Sequence, residues 1–346
     1  MLTDLICSIY FPALGDILVM ETEFFQENGR VIAGKIYDRM LQMRRLNTRY
    51  ISCALSMSSV ESRVSLTCEY EAHNVCCAIT CEYLRGGSST TGGTGPYKSI
   101  YYEDPSLPEH TIFMPAQPPT DKKMPVVLWG NGQCYGDGLA YGGFLSQVAS
   151  YGIVVIANGW VSTSSRNKYQ GDITKNLAYL TDSITWIQGK AGQAGNFSTV
   201  DAAALGVAGH SCGGYQTIEM RKDSRVKMLA PFGYFTEQAQ WAADIKVPVG
   251  AFVGEYDTSI ALPQLRGGWP RLPASTPGWW GTYPRTDHGG TFDQANGGVW
   301  AVSLARWILF TLTGDAESGQ YFKGDGAGQA GWTPITKQNL DSIPVS

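Results

Sequence analysis

Residues Leu205–Gly214 read LGVAGHSCGG, and this stretch is the strongest indication of the fold in the chain. An apolar run typical of a buried strand ends in the pattern G-x-S-x-G, and a helix-compatible segment, Tyr215–Met220, follows it. This is the strand, sharp turn and helix that a nucleophile elbow requires. Gly209 and Gly213 remove side chains that would clash at such a turn. The pattern therefore predicts an exposed nucleophile at Ser211. The alternative is a glycine-rich turn that carries an idle serine.

Predicted strands and helices alternate on both sides of this turn. The predicted strands are Pro125–Gly130, Ile153–Asn158, Ala204–Ala208, Val226–Phe232 and Val247–Val253. The predicted helices are Tyr141–Tyr151, Leu177–Gln188 and Val299–Leu312, and Gly314 is placed to cap the last of them. Such alternation predicts an α/β fold with a mostly parallel central sheet flanked by helices.

Composition and charge narrow the function classes. The chain has 346 residues, a net charge of −4 and no block of basic residues, so nucleic-acid binding is not expected. No apolar run of eighteen residues is present, so no membrane span is expected. Five of the eight cysteines lie between Cys53 and Cys81, but their spacing lacks a zinc pattern, and His73 is the only histidine near them. No phosphate- or dinucleotide-binding glycine motif occurs, so neither a metal nor a cofactor is expected.

The chain divides into parts of different composition. Residues 1–85 contain scattered cysteines and no tryptophan, and we expect an atypical, poorly ordered extension with one helix over Val31–Leu46. Residues 86–95 form a Gly/Ser/Thr linker by composition. Residues 96–346 suit one catalytic α/β domain. Asp4 precedes the apolar stretch Leu5–Leu14 and no basic residues do, so that stretch is a poor signal peptide.

A serine nucleophile needs a general base, and histidine is the usual one. The chain has only His73, His110, His210 and His288. Of these, His288 alone follows Ser211, as the order nucleophile, acid, histidine requires. We therefore expect His288 to be the base; the alternative is a histidine of a surface loop.

The base in turn needs a carboxylate that orients it. Asp257 follows the predicted strand Val247–Val253, at the position where the acid belongs, and is our choice. Glu255 is the nearer alternative. Asp287 adjoins His288 in the chain, and we expect it to be solvated.

The oxyanion of a tetrahedral intermediate needs two backbone N–H donors. One is expected from Cys212, the residue after the nucleophile, and the other from the loop after the strand Pro125–Gly130. This loop, Trp129–Gly136, reads WGNGQCYG, and either Gly132 or Gln133 is the expected donor.

Aromatic residues near the predicted strand ends are candidates for substrate binding. Tyr135 and Trp160 are two of them. The segment Thr258–Asp287 is rich in proline and tryptophan, and Trp279 and Trp280 are expected to form an acyl- or aryl-binding wall. The alternative is a surface loop that is docked by its own tryptophans.

Cys134 lies on the oxyanion loop and Cys212 directly follows the nucleophile. Because both loops must converge on one oxyanion, their backbones are expected close enough for a disulfide in an oxidising compartment. The alternative is two buried free thiols. Asn196-Phe197-Ser198 is an N-glycosylation acceptor pattern that a secreted protein would expose.

Several motifs together resemble serine esterases of the α/β-hydrolase superfamily, near the dienelactone-hydrolase and chlorophyllase/cutinase-like branches. They look most like a largely uncharacterised group of fungal and bacterial hydrolases. The stretches that carry the resemblance are Trp129–Gly132, Cys134, Gly209–Gly214, His288–Phe292, Asn296–Gly298, Trp307–Asp315 and Trp332–Leu340. Members of that group generally look secreted and begin near the linker, a pattern from which residues 1–85 depart. Localisation therefore stays open.

The resemblance implies an α/β-hydrolase fold. Because only about fifteen residues separate Phe232 from Val247, no large cap domain is expected. The expected activity is hydrolysis of a small-molecule or polymeric carboxylic ester (a polyester, a lactone or a secondary-metabolite ester) through an acyl-enzyme. One alternative is an acyltransferase with the same triad, and another is a non-catalytic ligand-binding homologue. The sequence leaves the oligomeric state open.

Overall fold

The structure is a computed structural model. It describes residues 2–11, 16–27, 30–33, 51–57, 63–70, 77–83, 92–161 and 173–346. The chain forms two compact units, Met1–Arg85 and Gly86–Ser346. In the described ranges, none of the helices has both the length and the apolar character needed to cross a membrane.

The first unit contains an antiparallel sheet of six strands in the order β3-β2-β1-β6-β5-β4. The strands are β1 Leu2–Phe11, β2 Asp16–Glu27, β3 Arg30–Ala33, β4 Ile51–Met57, β5 Arg63–Tyr70 and β6 Cys77–Tyr83. The predicted helix over Val31–Leu46 is wrong at its start, because β3 pairs with the end of β2, where Val31 lies opposite Gln26. Residues 34–46 of that helix, and His73, lie outside the described residues. The poor order expected of residues 1–85 stays a prediction.

The second unit contains a nine-stranded mixed sheet. Its strands are β7 Ser99–Tyr102, β8 His110–Pro115, β9 Met124–Gly130, β10 Val154–Asn158, β11 Val200–His210, β12 Met228–Phe232, β13 Val249–Gly254, β14 Gly278–Tyr283 and β15 Ile335–Gln338. Its helices are α1 Gly142–Ala149, α2 Ile173–Lys190, α3 Cys212–Glu219, α4 Ala239–Ala243, α5 Ala261–Gly268, α6 Gly298–Ile308, α7 Ala316–Lys323 and α8 Gly326–Gln329.

The strand order is β15-β14-β13-β12-β11-β9-β10-β8-β7. The six strands from β14 to β10 in this order pair in parallel. Strand β8 pairs antiparallel with β10 and with β7, and β15 pairs antiparallel with β14. The predicted α/β class with a mostly parallel sheet is therefore confirmed. Because parallel strands bring their carboxyl ends to one edge, the segments after β9, β11, β12 and β13 meet there.

Each face of this sheet is covered by its own layer of apolar side chains. One face packs against α2, α3 and α5, and Leu180, Ile184 and Ile187 of α2 are fully buried there, as their spacing predicts. The other face packs against α1, α6 and α7, through a core rich in tryptophan that includes Trp129 and Trp300.

Residues 92–95, expected to be linker, pack on the end of α1. The N–H of Thr94 donates to Oε1 of Gln147 over 2.8 Å, and the N–H of Gly95 donates to Oγ of Ser150 over 2.9 Å. Residues 86–91 of the predicted linker lie outside the described residues. The unit therefore begins structurally before residue 96.

Candidate active site

Ser211 occupies the junction between β11 and α3. Its backbone has φ 53° and ψ −110°, a conformation that costs a non-glycine residue about 1–3 kcal/mol. The junction is held by the N–H of Ser211, which donates to the carbonyl of Phe232 over 2.9 Å. A Cβ atom on Gly213 would overlap the carbonyl of Gly130, so α3 approaches β9 this closely only with glycine there. The side chain of Ser211 is half-buried, which leaves it accessible.

His288 and Asp257 form a hydrogen-bonded pair at the same edge of the sheet. Nδ1 of His288 lies 2.7 Å from Oδ2 of Asp257. Asp257 follows β13 and is buried, and its Oδ1 accepts the N–H of Ala261 over 3.1 Å at the start of α5. A carboxylate here is favoured because the first N–H groups of a helix lack intrahelical acceptors.

The other two carboxylates considered from the sequence do not contact the imidazole. Glu255 is exposed, and its Oε2 accepts the N–H of Arg285 over 2.7 Å. Asp287 is also exposed, and its Oδ1 accepts the N–H of Gly289 over 2.9 Å. Asp257 is therefore the carboxylate that the structure pairs with His288.

The imidazole of His288 packs on the backbone that follows β12. A Cβ atom built on Gly233 would lie 3.1 Å from Cε1 of His288, so the imidazole covers the backbone of that residue. Gly233 directly follows Phe232, whose carbonyl accepts the N–H of Ser211. Ser211, His288 and Asp257 therefore all lie at the edge of the sheet where β11, β12 and β13 end, and His288 and Asp257 are joined there by a hydrogen bond.

The loop after β9 approaches the start of α3. Cys134, which ends a short 3₁₀ turn over Gly132–Cys134, forms the predicted disulfide with Cys212, with Cα atoms 5.4 Å apart. Cys212 is the first residue of α3, so its N–H has no acceptor within the helix. Of the two predicted loop donors, Gly132 is already engaged, because its N–H donates to Oη of Tyr141 over 3.2 Å. Gln133 has φ 51° and an exposed side chain, and its role as a donor stays a prediction.

Asn131 fixes the shape of this loop, a role that the sequence analysis missed. Its side chain is fully buried, and Oδ1 accepts the indole N–H of Trp129 over 3.1 Å. Its Nδ2 lies 2.8–2.9 Å from the carbonyls of Tyr135, Asp137 and Asn158. The one signal in the sequence was a short amide residue between two glycines in WGNG, which is compatible with many turns.

The predicted aromatic wall is wrong for Trp279. Segment 258–287 contains α5, a 3₁₀ turn and β14 instead of one long loop. Trp279 on β14 is fully buried in the core, with its ring centroid 5.2 Å from that of Phe322. Trp280 faces the other side of the sheet and packs on Trp269, at 6.4 Å between centroids. The side chains alternate across the strand, so these tryptophans support the sheet on both faces.

Tyr135 and Trp160 lie on loops at the carboxyl edge, as expected. Tyr135 is half-buried, and its hydroxyl donates to Oε1 of Gln133 over 2.6 Å. Trp160 is half-buried after β10, and its carbonyl accepts the N–H of Gly138 over 2.7 Å. Their contact with a substrate stays a prediction. Asn196 is exposed in the turn between α2 and β11, where a glycan would meet solvent.

The residues after His288 were also missed as part of the site. The hydroxyl of Thr291 donates to the carbonyl of Gly297 over 2.8 Å and accepts the N–H of Trp300 over 3.2 Å. Phe292 is buried, with its ring centroid 4.9 Å from that of His210. The motif HGGTF therefore attaches the histidine loop to the start of α6.

The second unit is of the α/β class, with its candidate site at the carboxyl edge of the sheet. No protein-family model matches this chain, and a search of curated proteins finds no match. The chemistry of the site is therefore judged from its own residues.

Proposed function

We propose that the second unit is an α/β-hydrolase that cleaves a carboxylic ester with Ser211, His288 and Asp257. The observation that carries the proposal is the hydrogen bond between buried Asp257 and His288, at the same edge of the sheet as a serine held at positive φ between a strand and a helix. The strand order, with β9 between β10 and β11 and an antiparallel β8, supports the hydrolase fold.

In the proposed reaction, Oγ of Ser211 attacks the ester carbonyl while Nε2 of His288 accepts its proton. Asp257 holds the imidazole by Nδ1 and stabilises the imidazolium that forms. The N–H groups of Cys212 and Gln133 donate to the oxyanion; each such donor contributes roughly 10²–10³ in rate. His288 then protonates the departing alcohol, and water releases the acid from the acyl-enzyme with His288 again as base.

The Cys134–Cys212 disulfide supports this assignment of the two donors. One partner follows Gln133 in the chain and the other is itself a donor, so the bond ties both N–H groups to one covalent unit. Pre-organised donors stabilise charge without reorganising during the reaction.

A series of p-nitrophenyl esters, from acetate to laurate, tests the proposal with Ser211→Ala as the matched control. Release of p-nitrophenol by the wild type, lost in Ser211→Ala, is the expected result, and its dependence on chain length defines the acyl pocket. Added alcohols identify acyl transfer if the transesterified product exceeds the free acid. Equal rates for the wild type and Ser211→Ala would refute the proposed nucleophile.

A further inference from the structure

Both ring nitrogens of His210, the residue before the serine, are hydrogen-bonded. Nε2 lies 2.8 Å from the backbone carbonyl oxygen of His288, and Nδ1 lies 2.7 Å from Oη of Tyr141. A carbonyl oxygen only accepts hydrogen bonds, so Nε2 must carry a hydrogen. The second contact then depends on whether the imidazole is neutral or charged.

The surroundings of His210 favour the neutral ring. The side chain is 8% exposed, and its burial, together with the neighbouring His288, lowers its pKa to about 3. In the neutral ring with hydrogen on Nε2, Nδ1 is an acceptor, so Tyr141 donates its hydroxyl hydrogen to it. The oxygen of Tyr141 meanwhile accepts the N–H of Gly132 over 3.2 Å.

These bonds form one directional chain. Gly132 donates to Tyr141, Tyr141 donates to His210, and His210 donates to the carbonyl of His288. Its ends lie on the loop of the proposed oxyanion donor and on the proposed catalytic histidine.

Aromatic rings enclose this chain. The ring of Phe292 lies edge-on to Tyr141 at 4.8 Å between centroids, and the ring centroid of Trp129 lies 5.1 Å from that of Tyr141. Removing the hydrogen-bond partner of a polar group enclosed in this way destabilises the protein more than removing the partner of a group that water can reach.

We propose that Tyr141 and His210 are positioning residues, which fix the oxyanion loop relative to the backbone of His288. The proposal rests on the proposed function, because it gives the two ends of the chain their catalytic meaning. Neither residue exchanges a proton with the substrate. They act by fixing the distance between the loop after β9, which carries Gln133, and the imidazole of His288. A displacement of about 1 Å between catalytic groups lowers the rate on the order of 10²-fold.

Tyr141→Phe in the full chain tests this proposal, because it keeps the ring and removes only the hydroxyl. The matched control is Tyr321→Phe, since Tyr321 Oη also forms a 2.9 Å side-chain hydrogen bond, with Ser303, in the packing of α6 and α7. We expect kcat for ester hydrolysis to fall about 10- to 100-fold in Tyr141→Phe with KM little changed. Tyr321→Phe is expected to lower the melting temperature by about as much as Tyr141→Phe does, but to leave kcat unchanged.

A double variant and a spectroscopic measurement complete the test. Tyr141→Phe combined with His210→Gln should lose less kcat than the product of the single losses, because both act in one chain. The nitrogen-15 shifts of the four histidines provide a readout without turnover. We expect His210 to be neutral with hydrogen on Nε2 at pH 7, and the ring signals of His288 to shift in Tyr141→Phe but not in Tyr321→Phe.

The outcomes separate the two proposals. Wild-type protein without esterase activity would refute the proposed function, and the histidine signals would still decide whether the chain of bonds holds His288. A charged His210 at pH 7, a hydrogen on its Nδ1, or kcat and His288 signals in Tyr141→Phe equal to those in Tyr321→Phe would overturn the positioning role. A fall in melting temperature alone would assign Tyr141 to stability and likewise overturn it.

Discussion

Oδ2 of Asp257 lies 2.7 Å from Nδ1 of His288, although 31 positions separate the two residues in the chain. The aspartate is buried, whereas the side chain of His288 is 30% exposed. An ionised carboxylate accepts the hydrogen on Nδ1, which leaves Nε2 with the lone pair that a general base needs. The pair therefore determines which nitrogen of His288 is available as the base in the proposed reaction.

Asp257→Asn tests this pair. The amide keeps the shape of the side chain but stabilises the wrong tautomer and no longer supports the imidazolium, so kcat is expected to fall about 10³- to 10⁴-fold. Glu255→Gln and Asp287→Asn are matched controls, because both remove an exposed carboxylate nearby and should stay within about twofold of the wild type. A larger loss in either control than in Asp257→Asn would reassign the acid.

The Cys134–Cys212 disulfide is expected to contribute both stability and activity. It closes a loop of 78 residues, for which the loop-entropy relation predicts a stabilisation of about 4.5 kcal/mol. The double variant Cys134→Ser/Cys212→Ser should therefore lose several degrees in melting temperature, and kcat should fall as the two N–H donors lose alignment. Differential scanning calorimetry and ester kinetics measure the two effects. An unchanged melting temperature, with mass spectrometry showing the bond in the wild type, would contradict the expectation.

His210 should make stability depend on pH. Its pKa is lowered to about 3 by burial and by the neighbouring His288, from an ordinary value of 6.5. Between these values the unfolded chain binds a proton that the folded chain does not, so the free energy of unfolding decreases as pH falls from 6.5 towards 3. The groups that face the ring are Tyr141 and His288.

Urea unfolding at pH 7.5 and pH 5 checks this sign. Between pH 7.5 and pH 5, His210 is expected to lower the free energy of unfolding by about 2 kcal/mol. His110, also buried with a lowered pKa, acts in the same direction in every variant, so the comparison is made with His210→Gln, which cannot be protonated. An equal or smaller loss in the wild type than in His210→Gln would show that His210 is not held neutral.

Removal of residues 1–85 should leave esterase activity intact, because every candidate catalytic residue lies in the second unit. The position of the cut matters. A chain starting at Gly86 keeps Thr94 and Gly95, whose N–H groups bond to the last turn and the C-cap of α1, whereas a chain starting at Tyr97 loses both bonds. The second chain should melt at a lower temperature than the first. An inactive but folded chain from Gly86 would show that the first unit is required.

The sequence singled out Ser211 and Asp257 because each follows a predicted strand, and it singled out His288 by chain order alone. It also predicted the five inner strands, whose apolar runs are strong. It missed β7 and β15, which are the two edge strands of this sheet, and β8 and β14, which lie next to them. A strand covered on one face only, or interrupted by glycine, gives a weak pattern.

Tertiary packing explains two features that the sequence did not predict, the burial of Trp279 and the hydrogen bond of Gly132. Trp279 belongs to a strand whose face is covered by α7, and nothing near it in the chain says so. The N–H of Gly132 is hydrogen-bonded, because the hydroxyl oxygen of Tyr141 accepts it. Such pairings depend on how helices dock on the sheet, which local periodicity does not encode.

Labelling with a fluorophosphonate probe determines whether Ser211 is an activated nucleophile, since the probe reacts covalently only with an activated serine. Tandem mass spectrometry of the digested protein identifies the modified residue. We expect one phosphonate per chain, on Ser211, with labelling abolished in Ser211→Ala and strongly slowed in His288→Ala. Folded wild-type protein that takes up no probe, or probe on a serine other than Ser211, would contradict the assignment of this site as a serine hydrolase.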